Sequence, residues 1–89
     1  SHYLNFELEK YIGDILSDYL EPYDFIEYCN SIFEKEYVIG VLYSMVRVLD
    51  DLGKREESIA IVKEWLDRDP SNSDLNQLHD YMIQINSLQ

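Results

Sequence analysis

Apolar residues at 4, 8, 11, 12, 15, 19 and 20 open the chain at steps of three and four, the spacing that lines one face of a helix. The pattern predicts a first helix over about 4–20, capped by Asn5 and favoured at its start by Glu7 and Glu9. Glu21-Pro22 breaks it, because proline restricts the residue before it and offers no amide hydrogen. Asp24 and Glu27 have the spacing of a capping box, and Phe25, Ile26, Cys29, Ile32 and Phe33 carry a second helix over about 23–35. Third comes a helix over about 37–52, with Leu42, Met45, Val46 and Leu49 on one face and Val38, Val41 and Val48 elsewhere. Being apolar around more than one stripe, it should lie between neighbours.

Gly53 suits the left-handed residue after that helix, and Glu56 and Glu57 suit the first turn of the next, over about 54–68. Ile59, Val62, Trp65 and Leu66 are its core face, and Asp69-Pro70 ends it. Asn72 or Ser73 then caps a fifth helix over about 73–88 carrying Leu75, Leu78, Met82, Ile85 and Leu88. No stretch alternates at period two over a strand's length, so the expected fold is all-α, five helices in antiparallel hairpins within one domain spanning 1–89.

Sliding the chain by 34 residues pairs Leu8 with Leu42, Tyr11 with Met45, Ile12 with Val46, Ile15 with Leu49, Phe25 with Ile59, Tyr28 with Val62 and Ile32 with Leu66. Residues 39–72 add Gly53 at the turn, the small Ser58 inside the second helix and Pro70 at the exit. With these marks the segment resembles a tetratricopeptide repeat (TPR). Val46 and Trp65 stand where that family prefers small residues, so the hairpin should be splayed or Trp65 packed under the last helix. Residues 5–38 keep the period without the marks and read as a degenerate repeat. The fifth helix reads as a solvating cap with Asn76, Gln77, Asp80, Gln84 and Asn86 outward.

The resemblance implies a short right-handed superhelix whose leading helices line a concave groove for an extended or helical peptide. Carried onto this sequence, the groove-facing positions are Gly40, Tyr43, Arg47, Asp50 and Asp51. The weaker matches add Phe6, Glu9, Gly13 and Leu16 before them and Asp74, Gln77, Tyr81 and Gln84 after. The expected partner-binding set is Glu9, Gly13, Tyr43, Arg47, Asp50, Gln77 and Tyr81, taking a partner segment with apolar anchors and basic flanks. The family's lysine and asparagine clamp for a chaperone C-terminus is absent.

Charge sharpens the picture. Eighteen acidic residues against seven basic ones give −11, which opposes direct contact with nucleic acid. The same excess supports an alternative function, an acidic inhibitor or chaperone that covers a basic protein surface or imitates nucleic acid. Residues 1–37 hold nine acids and two bases, so that half is where such contact is expected. Tyr3, Leu4 and Phe6 on the first helix leave self-association as a third reading.

Chemistry finds little support. His2 and His79 lack a second ligand at metal spacing, and no glycine-rich phosphate loop or calcium loop is present. Cys29 lies on an apolar stripe and reads as a buried, inert thiol. Adjacent acids such as Asp50-Asp51 point about 100° apart on a helix and make no acid–base dyad. No enzyme activity, metal or cofactor is expected. With no signal peptide, no apolar run of membrane-spanning length and one cysteine, the default compartment is the cytoplasm. A start at Ser-His without Met is what an excerpt of a longer protein would show.

Overall fold

A computed structural model of the chain describes the backbone of residues 2–87 and the side chains of residues 5–85. Its elements are α1 (His2–Tyr19), α2 (Pro22–Phe33), α3 (Ile39–Asp51), α4 (Arg55–Arg68) and α5 (Ser73–Ser87), and no strand occurs among the described residues. None of these helices is long and apolar enough to cross a membrane. Leu88 and the side chains of His2, Tyr3, Leu4 and Asn86 lie outside the described residues.

Two of the four junctions follow the local rules expected of them. Gly53 adopts φ 77°, and behind it the Gly53 amide donates to Asp50 O at 3.0 Å while the Lys54 amide donates to Leu49 O at 2.8 Å. This pair of bonds is a Schellman motif, which satisfies the last carbonyls of α3 and reverses the chain. A Cβ at Gly53 would meet nothing within 4 Å, so Gly53→Ala carries only the backbone penalty. The expected loss is about 1 kcal/mol, lowering the thermal midpoint by roughly 4–8 °C in a melt followed by circular dichroism. At the next junction Asn72 Oδ1 accepts from the Leu75 amide at 3.1 Å, capping α5.

The remaining starts correct the expectation. Helix α1 begins at His2, so Asn5 lies inside it and caps nothing. Pro22 opens α2, after Glu21 in extended geometry with no side-chain cap, so Asp24 sits within the first turn and the Asp24–Glu27 box does not form. Proline is favoured there because its missing amide hydrogen would have had no partner. Helix α3 starts two residues late, at Ile39, and 34–38 form the connection.

Helix α3 is central, as its all-round apolarity predicts. On one side Ile39, Leu42 and Val46 meet Val62 and Trp65 of α4 and Leu75, Leu78 and Met82 of α5. On the other, Val41, Met45, Val48 and Leu49 meet Phe25 and Cys29 of α2, with Leu16 and Leu20 of α1 at the edge. Burial pushes the Cys29 thiol up to about 12, so the neutral form persists. Ser58 is fully buried, its hydroxyl 2.7 Å from Arg55 O and 2.9 Å from Asp50 Oδ1.

Helix α1 packs chiefly on α3 and little on α2. The two run parallel, since Glu9 reaches Gly40, Lys10 and Asp14 reach Ser44, and Asp14 and Ser17 reach Arg47. Their approach is close: a Cβ on Gly40 would sit 2.5 Å from Lys10 N and Phe6 O, and one on Gly13 would sit 2.6 Å from Ser44 Oγ. The face of α1 turned to α3 is therefore Phe6, Glu9 and Gly13. The face expected to form core, Leu8, Tyr11, Ile12, Ile15 and Tyr19, is exposed instead. Gly13 within α1 and Gly40 in the first turn of α3 allow backbone contact that no apolar stripe can match, and they decide which way α1 turns.

Candidate functional site

The hairpins α3–α4 and α4–α5 are held by the core around Leu42 and Val62, and α5 touches α3 only sparingly. Between α1, α3 and α5 this leaves an open groove of about 570 Å³. Val46, Leu78, Met82 and Ile85 supply its apolar lining, and the exposed Tyr81 ring stands at its edge. Lys10 and Asp14 form the α1 wall, and Arg47, Asp50 and Asp51 the α3 wall.

The wall charges largely answer one another. Arg47 Nη2 lies 3.3 Å from Asp14 Oδ1 and donates to Ser17 Oγ at 2.8 Å, while Lys10 Nζ is 4.0 Å from Asp14 Oδ2. These pairs are half exposed, and pairs of that kind contribute at most about 1 kcal/mol, so a ligand can exchange them at small cost. Asp50 is more committed, accepting from Ser58 Oγ and lying 3.7 Å from Arg55 Nε. Arg55 Nη1 is buried without an acceptor.

Tyr43 is a fixed wall. Its ring meets Phe6 edge to face at 5.0 Å, and its hydroxyl donates to Asp74 O at 2.7 Å. Burial first, and the Asp74 charge second, push its hydroxyl up to about 12.

Of the seven expected residues, Tyr43, Arg47, Asp50 and Tyr81 come together around this groove. Glu9 does not: its carboxylate accepts from the Gly40 amide at 3.1 Å, answering one of the unpaired amides at the start of α3. Gly13 is buried between α1 and α3 and presents nothing to a ligand. Gln77 is exposed but lies off the lining. Lys10 and Asp14, one position after Glu9 and Gly13, take their place, which is the rotation of α1 seen from the groove. The glycines at 13 and 40 were the sequence signal for that rotation. Leu78 and Met82 read as core and are core, 6% and 3% exposed in one cluster with Val46, so they form only the floor of the groove, while the half-buried Ile85 lines it further along.

Among the described residues no group of three or more His, Cys, Asp or Glu side chains could hold a metal ion. No family model matches the chain, and no curated protein or solved structure is significantly similar to it.

Proposed function

We propose that this chain is a small TPR-like interaction module that takes a peptide or helix of another protein into the groove between α1, α3 and α5. The observation that carries the reading is the groove itself, floored by the buried Val46, Leu78 and Met82, completed by the half-buried Ile85, bordered by charges of both signs and edged by an exposed tyrosine. An apolar strip ringed by exchangeable polar groups is how interfaces divide their labour, with the centre supplying affinity and the rim supplying register. Parallel packing of α1 on α3, through contacts separated by 30 to 34 residues, agrees with a repeat of about that length.

Calorimetry with peptides that carry one apolar anchor and basic flanks tests the proposal. Tyr81→Ala removes exposed lining without disturbing the core, and Arg47→Glu reverses one wall charge. Each is expected to weaken binding by roughly tenfold. Unchanged affinity in both would place the interface elsewhere on the molecule. The −11 charge also favours the acidic-cover reading, for which binding would collapse between low and moderate salt while groove anchoring loses less.

A further inference from the structure

The five side chains displaced from the core form a surface of their own. Leu8 is 57% exposed, Tyr11 65%, Ile12 51%, Ile15 38% and Tyr19 84%, all on the side of α1 turned away from α3. Their positions, 8, 11, 12, 15 and 19, follow the steps by which one helix seats against another. Over those 11 steps the stripe is roughly 16 Å long, three turns of helix.

The chain itself indicates what kind of element covers such a face. Shifted by 34, four of the five positions become Leu42, Met45, Val46 and Leu49 of α3. All four are buried there, against α4 and α5 on one side and α2 on the other. Where this pattern is covered within the molecule, helices cover it.

The border selects the charge of the incoming helix. Glu7, Asp14 and Asp18 precede Leu8, Ile15 and Tyr19 by one residue each, so acids track the stripe along one flank. Glu7 and Asp18 are exposed, and Lys10, the one base on α1, lies 4.0 Å from Asp14. With nine acids against two bases in residues 1–37, a second copy of this chain would bring like charge against like.

We infer that the outer face of α1 is a second docking surface, separate from the groove, for a basic amphipathic helix of a partner protein. Leucine-sized side chains of that helix lie between Tyr11, Ile12 and Ile15, and its lysines or arginines face Glu7 and Asp18. The inference does not rest on the groove reading.

Two synthetic helical peptides with the same leucine pattern, one with lysine and one with glutamate on the polar face, serve as probes. They are titrated into the ¹⁵N-labelled 89-residue chain, into the double variant Ile12→Ser/Ile15→Ser and into Tyr81→Ala. Both isoleucines are exposed, so the double variant keeps its helices, which circular dichroism verifies. The expected result is amide shifts on residues 8–19 with the lysine peptide, affinity at that site reduced roughly tenfold or more in the double variant, and the same 8–19 shifts retained in Tyr81→Ala, which alters only the groove. Rising salt weakens the complex.

Absence of binding, equal binding of the glutamate peptide, or shifts centred on Tyr43, Arg47 and Tyr81 would overturn the inference. So would a dimer in sedimentation that Ile12→Ser/Ile15→Ser dissociates, since a second copy would then be the occupant. Failure of the Tyr81→Ala and Arg47→Glu tests on the groove leaves this result untouched, because neither residue belongs to the stripe, which meets the groove wall only at Asp14.

Discussion

Replacing Trp65 by alanine is expected to remove most of the stability of this fold. The side chain is 4% exposed and held by two aromatic neighbours: Phe33 meets it edge on at 4.8 Å, and Tyr37 stacks on it at 5.0 Å with 23° between the planes. Tyr37 in turn donates its hydroxyl to Asp69 Oδ2 at 2.9 Å, and that same oxygen accepts from Asn72 Nδ2, the residue that caps α5. One indole thus joins the end of α2, the connection to α3, the last turn of α4 and the start of α5. Truncating a buried Trp costs about 3–5 kcal/mol through lost burial and the cavity left behind. A domain of this size starts with little more than about 5 kcal/mol. Urea unfolding followed by circular dichroism, since the variant has no tryptophan to report, should show a collapsed or missing native baseline. Trp65→Phe should keep a cooperative transition, and a variant at Ala with an unchanged midpoint would remove Trp65 from this role.

Tyr37 also shows where sequence reading ends. Nothing local in "KEYV" stops one helix and starts another, yet α2 ends at Phe33 and α3 begins at Ile39. Stacking on Trp65 and bonding to Asp69, 32 residues away, hold Tyr37 outside both helices. Some local instructions hold, although Asn5 and the Asp24–Glu27 box cap nothing. Gly53 closes α3, Asn72 caps α5, and the all-round apolarity of α3 places it at the centre. Trp65, expected either to splay its hairpin or to pack under the last helix, shares its cluster with Leu75, Leu78 and Met82 of α5.

The groove positions carried over from the repeat resemblance fit the structure unevenly for a related reason. Spacing on α3 brings Tyr43, Arg47 and Asp50 to one side because α3 is covered everywhere else, so its open face is the remainder. On α1 there are two candidate faces. The apolar one looks like core by the rule that sequesters hydrocarbon, but the small one wins because it lets two backbones touch. The outcome leaves Leu8, Tyr11, Ile12, Ile15 and Tyr19 outside and moves the groove wall from Glu9 and Gly13 to Lys10 and Asp14. Hydrophobicity measures how much a face gains from burial; it does not measure how close a neighbour can come.

Gly40→Ala tests that ordering of forces directly. In an open helix this change stabilises by about 1 kcal/mol, because alanine is the better helix former. Here the added methyl would lie 2.5 Å from Lys10 N and Phe6 O, main-chain atoms of α1 that no rotamer change can move, and 2.5 Å from Glu9 Cβ. To admit it α1 must lift away, which lengthens the 3.1 Å bond from the Gly40 amide to Glu9 and the contacts of Asp14 and Ser17 with Arg47 further along. Overpacking of this kind costs about 1–3 kcal/mol, and backbone obstruction puts Gly40 near the upper end. At roughly 4–8 °C per kcal/mol for a domain of this length, the melting midpoint should fall by about 10–20 °C. Gly13→Ala differs because its obstacle is a side chain, with Ser44 Oγ at 2.6 Å and Ser44 Cβ at 2.9 Å. Adding Ser44→Gly should therefore recover part of the loss, a coupling that a double-mutant cycle measures. No truncation on α1 can rescue Gly40→Ala in the same way. If Gly40→Ala melts at or above the parent temperature, α1 does not approach α3 through this face, and both the Lys10–Asp14 groove wall and the bare stripe on its far side lose their basis.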